Sequence, residues 1–477
     1  MGTEILFNKT KMVATVGPGS RSKEMLKALI MAGVDVFRLN FSHGSHEDHQ
    51  QVLDHIRNLN DELSTHICIL QDLQGPKIRI GEVENGEVQL EEGAELTITV
   101  DSILGSAQRV STTYQSLPRD VQVDDIILID DGKIEVIVKS FTDKDVITQV
   151  VHGGPLKSRK GINLPSTTVS APSMTEKDEQ DLQFALKNDV EWVALSFVRS
   201  AKDVEYLKDI ISAAGKNTSV IAKIEKPQAL REIDDIIAVS DGLMVARGDL
   251  GVETLMEDVP MVQKMIVSKC NKQFKPVIIA TQMMESMIES PRPTRAETND
   301  IANSIIDGAD ALMLSAETAV GKYPLQVVRS MSKTIQSVEK TADIYFKHRK
   351  LDSKDSNFYN NNVVLSACRL GRDTGAIAIT GMTFSGYTAY RLAGNRPKAH
   401  IFIFTANRRL LNTLNLVWGV RSFYYNNMES TDVTFADVER MLKEKGWLNK
   451  GDVIINTASM PIKGKFQTNA LKIAIAE

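Results

Sequence analysis

Two short apolar runs, each ending in charged residues, decide the fold class of this chain. The first spans Ser219–Glu225 and reads SVIAKIE, and the second spans Gly242–Asp249 and reads GLMVARGD. Their Val, Ile, Leu and Ala residues are continuous rather than alternating, which is typical of parallel strands that are buried on both faces. Both runs become polar at their carboxyl ends, where parallel α/β proteins build their active sites.

Six further runs of this kind occur, and amphipathic segments such as Ser22–Ala32 and Lys202–Ala213 lie between them. Eight β/α units favour a closed (β/α)8 TIM barrel over an open sheet. The predicted barrel strands are Lys11–Val16, Val34–Asn40, His66–Asp72, Val190–Val198, Ser219–Glu225, Gly242–Arg247, Pro276–Thr281 and Ala309–Ser315.

The barrel pattern is interrupted once, after its third strand. Residues 75–171 are rich in Val, Ile and Thr and carry turn signals at Glu91-Glu92-Gly93 and Asp130-Asp131-Gly132. We expect a small inserted β-barrel domain here, which would act as a lid over the barrel mouth. The barrel resumes near Ser173, where hydroxyl residues offer an N-cap for the next helix.

A third unit follows the barrel, and its strands and helices predict an open α/β sheet with a regulatory role. The expected domains are therefore 1–74 and 172–340 for the two barrel segments, 75–171 for the lid and 341–477 for the C-terminal domain. Its predicted strands are Ala376–Thr380, His400–Thr405, Val420–Tyr425, Asp452–Asn456 and Leu471–Ile475.

Composition excludes several classes of function. The formal net charge of -5 argues against a general nucleic-acid binder, which needs a basic surface. Three distant cysteines, Cys68, Cys270 and Cys368, predict neither a disulfide framework nor a thiolate zinc site. We find no apolar signal-peptide core and no run long enough to span a bilayer, so we expect a cytoplasmic protein without membrane contact.

The polar residues at the predicted strand ends should meet at one mouth of the barrel. Any one of them could instead cap a helix or form an ion pair, but so many charges at one rim need a ligand or ions to balance them. They are Thr15, Arg38, Asn40, Asp72, Ser196, Lys223, Glu225, Arg247, Asp249, Thr281, Gln282, Ser315 and Glu317.

Glu225 and Asp249 end neighbouring predicted strands, with no His or Cys beside them. Two carboxylates in this arrangement suit Mg²⁺ or Mn²⁺. Lys223 points to the same side as Glu225, because the two residues are two positions apart on one strand. A cation beside a metal site suits the stabilisation of a transferring phosphoryl group or an enolate. The alternative is a structural Lys–Glu ion pair.

Arg38, Asn40 and Ser42 alternate after another strand, and the arginine suits a phosphate. The nearby His43, His46 and His49 could suggest zinc. We favour a surface helix capped by Ser45 instead, with an acidic residue at its third position.

Glycine-rich nucleotide motifs are absent, since no Gly-Lys pair precedes Ser or Thr and no GxGxxG opens a helix. The segment from Thr380 to Ala389 does follow a strand and is expected to open a helix in the C-terminal domain. Its hydroxyls and backbone amides predict a cradle for a phosphorylated effector, although a cap and turn would use the same residues. The cradle residues are Thr383, Ser385, Gly386 and Thr388.

Together these segments resemble the pyruvate kinase family, over essentially the whole chain and in the same order. The motifs are RLNFSH at 38–43, DLQGPK at 72–77, KIE at 223–225, MVARGD at 244–249, Thr281-Gln282 and MLSAET at 313–318. The resemblance implies a Mg²⁺- or Mn²⁺-dependent transfer of the phosphoryl group of phosphoenolpyruvate to ADP. The products would be pyruvate and ATP, in the last step of glycolysis, and the enzyme would be a homotetramer.

The resemblance also implies a role for each matching residue. Glu225 and Asp249 would hold the divalent metal, and Lys223, helped by Arg38, would neutralise the phosphoryl group in flight. Thr281, with a relay through Ser315 and Glu317, would serve the protonation of the enolate. The implied substrate-binding residues are Ala246, Gly248, Thr281, Arg38 and Ser196, and the implied nucleotide-binding residues are Pro18, Asn40, His43 and the lid residue Lys160.

One departure from the family pattern concerns K⁺. Many members hold K⁺ with residues that match Asn40, Ser42, Asp72 and the carbonyl of Leu73, and those members carry Glu where this chain has Lys77. An ammonium there can supply the same positive charge, so we expect an enzyme that does not require K⁺. The alternative is that Lys77 points away and that K⁺ still binds.

Two other functions compete with the kinase. A Mg²⁺-dependent aldolase or lyase acting on a pyruvate enolate would share the carboxylates and the cation, but it would need neither Lys160 nor the pair Pro18 and His43. A non-catalytic sensor of phosphorylated metabolites would need only the C-terminal cradle, and the intact set around Lys223 argues against it.

Overall fold

The computed structural model describes residues 5–167, 169–346, 351, 353–427, 429–462 and 467–477. The first barrel segment consists of β1 (Lys11–Thr15), α1 (Lys23–Met31), β2 (Val36–Asn40), α2 (His46–Leu63) and β3 (Cys68–Asp72). Helix α2 begins as predicted, because Ser45 and Asp48 form a reciprocal capping box. His49 stacks on Phe41, with ring centroids 4.1 Å apart, so it belongs to the packing of this helix.

The inserted lid domain follows β3 and has its own buried apolar core. Its strands are β4 (Glu87–Leu90), β5 (Glu95–Thr99), β6 (Arg109–Ser111), β7 (Ile126–Ile129), β8 (Ile134–Phe141), β9 (Asp145–His152), β10 (Gly154–Lys157) and β11 (Ile162–Asn163), with α3 (Leu117–Asp120) after β6. Six strands form one sheet in the order β11-β7-β8-β9-β5-β6, and β4 pairs with β10. Arg79 bridges to Gly161 beside β11, and Ile80 bridges to Thr112 beside β6. The chain thus links the two edges of the sheet, as in a small barrel.

The second barrel segment completes the (β/α)8 barrel. It contains α4 (Glu176–Lys187), β12 (Trp192–Leu195), α5 (Ala201–Ala213), β13 (Ser219–Ile224), α6 (Pro227–Arg231), α7 (Ile233–Val239), β14 (Gly242–Ala246), α8 (Arg247–Glu253), α9 (Val259–Lys272), β15 (Val277–Ala280), α10 (Arg295–Asp307), β16 (Ala311–Leu314), α11 (Ala316–Ala319) and α12 (Pro324–Thr341). The closed order is β1-β16-β15-β14-β13-β12-β3-β2. All eight predicted barrel strands are confirmed, and each is buried along most of its length, as parallel strands between helices require.

The C-terminal domain is an open five-stranded sheet in the order β19-β18-β17-β20-β21, with only β21 antiparallel. Its elements are α13 (Phe358–Asp373), β17 (Ala378–Met382), α14 (Tyr387–Gly394), β18 (His400–Thr405), α15 (Arg408–Thr413), β19 (Val420–Tyr424), α16 (Thr431–Glu444), β20 (Val453–Ala458) and β21 (Ala470–Ile475). The five predicted strands are confirmed. We propose domain boundaries at 1–74, 75–171, 172–340 and 341–477.

The C-terminal domain docks on the amino-terminal end of the barrel, opposite the mouth. Leu416 packs into the apolar cluster that fills the barrel interior. Trp192 Nε1 donates a hydrogen bond of 3.1 Å to the Thr413 carbonyl, and Lys11 Nζ donates one of 3.0 Å to the Val420 carbonyl. This contact leaves the carboxyl ends of the strands facing the lid. No helix among the described residues is long and apolar enough to cross a membrane.

Arg396 holds this docked arrangement, and replacing it by Ala should destabilise the protein. Its guanidinium pairs with Asp310 at 2.9 Å, and both side chains are 5 % exposed. The substitution leaves a buried carboxylate without its cation, so we expect a loss of about 3–5 kcal/mol in the free energy of unfolding. Chemical denaturation measures the loss. The control is Arg21→Ala, which removes an exposed pair with Asp48 and should cost less than about 1 kcal/mol.

Candidate active site

Lys223 lies at the centre of a polar network at the barrel mouth. Its ammonium donates a hydrogen bond of 2.7 Å to Ser196 Oγ. The same nitrogen lies 3.1 Å from Asp72 Oδ1 and 2.9 Å from Glu225 Oε1. Only 11 % of the Lys223 side chain is exposed, so a cation is held here among buried anions. The structure thereby joins three strand ends that the sequence had predicted to converge.

Asp72 links Lys223 to Arg38. Arg38 Nε donates a hydrogen bond of 2.6 Å to Asp72 Oδ2, and Arg38 NH1 donates one of 3.0 Å to Thr15 Oγ1. The strand register brings these groups together, because Thr15 on β1 pairs with Arg38 on β2, which is next to β3. Two cations therefore share one buried carboxylate.

These contacts determine the charge states of the pair. Burial acts to lower the pKa of Lys223, but the Asp72 and Glu225 carboxylates outweigh it, and the pKa is raised above its ordinary range. Burial acts to raise the pKa of Asp72, but Lys223 and Arg38 outweigh it and lower that pKa. Both groups therefore stay charged at neutral pH. A permanent cation with a fixed position suits the stabilisation of negative charge that develops on a reacting group.

Glu225 and Asp249, the predicted metal ligands, follow the neighbouring strands β13 and β14. The Phe197 amide donates a hydrogen bond of 2.7 Å to Glu225 Oε2 and so orients the carboxylate. Burial raises the pKa of Glu225, and the nearby Asp249 raises it further against the opposing effect of Lys223. Two close carboxylates in a buried site call for a further cation.

Oxygen ligands without sulfur or imidazole fit Mg²⁺ or Mn²⁺ better than a softer metal. No cluster of three or more His, Cys, Asp or Glu side chains able to hold a metal occurs among the described residues. A metal held by Glu225 and Asp249 would thus keep other coordination positions for water and substrate oxygens.

Thr281 adopts a strained backbone conformation at the end of β15, with φ of +71°. The Gly248 amide donates a hydrogen bond of 2.7 Å to Thr281 Oγ1, and Arg247 NH2 donates one of 2.9 Å to the Thr281 carbonyl. A β-branched residue is retained in this conformation only where its surroundings impose it, as at functional sites. Ala246, which is 2 % exposed, ends the adjacent strand. Three of the predicted substrate-binding residues, Ala246, Gly248 and Thr281, therefore lie together, although the Gly248 amide already has a partner.

Ser315 and Glu317 follow the last barrel strand, β16. Glu317 accepts hydrogen bonds from the Ser315 and Met284 amides, at 2.6 and 3.1 Å. Burial raises the pKa of Glu317, and these backbone bonds oppose the rise. Among the described residues, no group bonds to the buried Ser315 Oγ. A hydroxyl without a partner among these residues suits a proton relay, because it can bond to substrate or to water when either is present.

The predicted nucleotide-side residues are divided between the barrel and the lid. Pro18 and His43 are exposed, and Asn40 is half-buried at the end of β2. Lys160, on the lid, pairs with Asp130 of the same domain at 2.7 Å. The lid lysine is thus engaged within its own domain, and its ammonium has further donors for a nucleotide.

The structure does not bring Lys77 into contact with the other predicted K⁺-site groups. The Leu73 carbonyl accepts a hydrogen bond of 2.7 Å from Ser196, and Asn40 Oδ1 accepts one of 3.2 Å from the Ser42 amide. Lys77 is exposed, and its Cε lies 3.8 Å from the position of a Cβ built on Gly161 of the lid. Its side chain lines the crevice between lid and barrel that Asp249 also lines.

The predicted effector cradle opens helix α14 in the C-terminal domain. Thr383 Oγ1 accepts a hydrogen bond of 3.0 Å from the Gly386 amide, and φ of Gly386 is +88°, so glycine suits this turn. Thr388 Oγ1 lies 2.6 Å from Thr468 Oγ1, whereas Ser385 is exposed. Two of the predicted cradle hydroxyls, those of Thr383 and Thr388, therefore already have hydrogen-bond partners within the protein.

Comparison with known proteins assigns this architecture to a family. Residues 7–328 match the model of the pyruvate kinase barrel domain, and residues 361–474 match that of the pyruvate kinase alpha/beta domain. The chain belongs to the pyruvate kinase family. The family resemblance inferred from the motifs is thereby confirmed, and the comparisons do not support the aldolase alternative.

Individual pyruvate kinases match over nearly the whole chain. The pyruvate kinase of Mycobacterium tuberculosis (strain H37Rv) is 42% identical over 98% of both chains. That of Staphylococcus aureus (strain MRSA252) is also 42% identical, over 98% of this chain and 80% of its own. A solved pyruvate kinase from Cryptosporidium parvum superposes with a TM-score of 0.92 at 35% identity, covering 98% of this chain and 96% of that one.

Two contributions to this site were not predicted from the sequence, namely the backbone amide of Phe197 and the contacts of Arg247. Phe197 orients Glu225 through its backbone amide, which no side-chain pattern reports. Arg247 lies at a predicted strand end, but its role came from its contacts, which include an ion pair of 2.7 Å with Asp300 on α10. In the sequence, the only signal for Arg247 was its charge and its position two residues before Asp249, a predicted metal ligand.

Proposed function

We propose that this chain is a phosphotransferase that moves the phosphoryl group of phosphoenolpyruvate to ADP and releases pyruvate and ATP, in the last step of glycolysis. The observation that carries the proposal is the buried Lys223 ammonium, within 3.1 Å of Asp72 and Glu225. A fixed cation beside a proposed metal-binding carboxylate, Glu225, suits a phosphoryl group in transit, because catalysis of this transfer is mainly positioning and charge stabilisation.

Each group at the mouth has a distinct part in the proposed reaction. Bound to Glu225 and Asp249, Mg²⁺ or Mn²⁺ would polarise phosphoryl and enolate oxygens. Lys223 neutralises the charge on the phosphoryl group as its bond to the enolate oxygen breaks and its bond to the ADP oxygen forms. Arg38 adds a second cation, and Ser196 orients the Lys223 ammonium. The backbone around Ala246, Gly248 and Thr281 holds the substrate carboxylate.

Protonation of the enolate completes the reaction. A proton must reach the methylene carbon to give the methyl group of pyruvate. We assign its delivery to the side of the site formed by Thr281, Ser315 and Glu317, because no described residue bonds to the Ser315 hydroxyl and the Ser315 amide bonds to Glu317. The nucleotide would lie between the barrel residues Pro18, Asn40 and His43 and the lid residue Lys160. Closure of the lid would exclude water from the site.

The decisive assay measures pyruvate formation from phosphoenolpyruvate and ADP with Mg²⁺. Turnover supports the kinase. Carbon–carbon cleavage of a hydroxy-keto acid without ATP formation would favour a lyase. Neither reaction, from folded protein tested with and without sugar phosphates or AMP, would favour a sensor and overturn the proposal.

We further propose that the enzyme needs no K⁺ and that Lys77 supplies the missing charge when the lid closes. Equal rates in K⁺ and in tetramethylammonium are expected. Lys77→Glu should lower the K⁺-free rate about tenfold to a hundredfold and make the rate depend on K⁺. A charge at 4 Å is worth ~4 kcal/mol at a dielectric of 20, and exposure reduces that value. Lys139→Glu, at an exposed lysine of β8, is the control. An absolute K⁺ requirement of the unaltered enzyme would contradict the proposal.

We propose that a phosphorylated metabolite regulates the enzyme through the cradle at Thr383, Ser385, Gly386 and Thr388. Backbone amides and hydroxyls at the start of α14 suit a phosphate. Ser385→Glu should raise the effector concentration for half-maximal activation at least about tenfold, because like charges in contact cost over 1 kcal/mol. Titrations with a sugar bisphosphate, a sugar monophosphate and AMP measure the shift, with Ser356→Glu as the control. Unchanged activation by every effector would place the site elsewhere.

We also propose a homotetramer in the cytoplasm that binds neither nucleic acid nor membranes. Large apolar side chains are exposed on the neighbouring helices α9 and α10 and in the turn before α9, as expected at a subunit interface. They are Leu255, Met256, Met261 and Ile306. Light scattering measures the mass of the assembly.

A further inference from the structure

An ion pair joins the two segments that carry the proposed metal ligands. Lys226 follows Glu225 in the chain. Glu253 follows Asp249 by one turn of helix α8, on the same face of that helix. Lys226 Nζ contacts Glu253 Oε1, and the two side chains are 12 % and 1 % exposed. The residue after Glu225 and the residue one helical turn after Asp249 are therefore joined to each other in a buried position.

The lid is attached to the same pair. Asn163, on lid strand β11, donates a hydrogen bond of 2.9 Å from Nδ2 to Glu253 Oε1. Among the described residues, no group bonds to the buried Glu253 Oε2. Lys226 and Asn163 line the crevice between lid and barrel together with Asp249. The lid is thus bonded to the residue one turn beyond a proposed metal ligand.

Lys226 also packs on the residue that orients Glu225. Its ammonium lies 5.9 Å from the centre of the Phe197 ring. Phe197 donates its amide to Glu225 and adopts φ of +54°, an uncommon backbone conformation for a bulky residue. A Cβ on Gly75, the first residue of the lid segment, would come within 2.7 Å of the same ring. The Phe197 ring therefore lies between the start of the lid and Lys226.

From these contacts we propose that Lys226 and Glu253 are positioning residues for the divalent metal. Their ion pair sets the separation of Glu225 and Asp249 and keeps the two carboxylates convergent. Neither residue needs to touch the metal or the substrates. The inference rests on the proposed function, because it takes Glu225 and Asp249 as the metal ligands.

An effect of charge alone and a positioning effect predict different changes in metal affinity, so the proposal can be tested. If only charge mattered, removing Lys226 would strengthen the binding of a cation, and neutralising Glu253 would weaken it. If the ion pair positions the ligands, both changes must weaken binding. Groups that orient metal ligands typically contribute about 10- to 100-fold to metal affinity. Because the two residues act as one unit, a double variant should lose about as much as either single variant.

The experiment titrates the full chain with Mn²⁺ and measures free Mn²⁺ by electron paramagnetic resonance, without substrates. We expect Lys226→Met and Glu253→Gln each to weaken Mn²⁺ binding about 10- to 100-fold, and Lys226→Arg to retain most of the affinity. Tighter or unchanged binding by Lys226→Met would overturn the proposal. If a single variant fails to fold, Lys226→Met/Glu253→Met leaves no unpaired buried charge and should show the same loss. Unchanged binding by that double variant would also overturn the proposal.

A further variant separates this inference from the proposed function. Glu225→Gln removes a proposed ligand and should lose Mn²⁺ binding. If Glu225→Gln binds normally, the metal site itself is misassigned, and the positioning role fails with it. If Glu225→Gln loses binding while Lys226→Met does not, only the positioning role fails.

Discussion

Replacing Lys223 by Met should lower kcat for pyruvate formation by about 10³–10⁵-fold, the range found for cations that stabilise a transferring phosphoryl group. The substitution keeps a side chain of similar length and removes the charge. Asp72 keeps its pair with Arg38, but Glu225 loses its ion pair with Lys223, and no ammonium then faces the phosphoryl group as it moves. A steady-state assay of pyruvate formation at saturating phosphoenolpyruvate, ADP and Mg²⁺ measures the effect.

A matched control lies at the opposite end of the barrel. Lys11 is also a buried lysine on a barrel strand, and it pairs with Asp35 at 3.2 Å. Lys11→Met should lower stability by a comparable amount, because it too leaves a carboxylate without its cation, while kcat stays near that of the unaltered enzyme. A fall in kcat of less than about tenfold for Lys223→Met would contradict the role of Lys223 in catalysis.

Glu225→Gln should lower kcat at least about a thousandfold, because a metal contributes several kcal/mol to the stabilisation of developing charge. The substitution is nearly isosteric, and an amide oxygen can still accept the hydrogen bond from Phe197. What is lost is the negative charge that holds a divalent cation. The assay is run across a range of Mg²⁺ concentrations, so that weaker binding is distinguished from a slower chemical step.

Glu191 provides the corresponding control. It is 2 % exposed, pairs with Arg57 at 2.7 Å and accepts a hydrogen bond of 2.9 Å from the Ile69 amide. Glu191→Gln should reduce stability and leave turnover and its Mg²⁺ dependence unaltered, because Glu191 lies at the amino-terminal end of the barrel. Retained turnover by Glu225→Gln at ordinary Mg²⁺ concentrations would exclude Glu225 as a metal ligand.

The fold was predictable because its signals are local. A buried parallel strand reads as an uninterrupted apolar run, so Trp192–Leu195 and Gly242–Ala246 were visible without any contact information. Capping is local too, since Ser45 and Asp48 are three residues apart in the chain. Strand ends of a barrel must converge, and this placed Lys223 and Glu225 at one mouth.

Contacts between distant segments were not predictable in this way. Phe197 holds Glu225 through a backbone amide, and any residue type could supply that group. Lys226 and Glu253 are 27 residues apart, and neither belongs to a motif identified in the sequence. Only the folded chain shows that they meet, with Asn163 arriving from the lid.

The chain's residue order specifies the barrel, the inserted lid, the C-terminal sheet and the residue types at the mouth, because periodicity, capping and strand ends are properties of neighbouring residues. The tertiary structure decides which of those residues come close enough to interact electrostatically. Lys223 has a raised pKa because Asp72 and Glu225 converge on it, while the Lys77 side chain lies beside Gly161 within the lid segment. Electrostatic interaction depends on distance through space and on burial, and sequence separation reports neither.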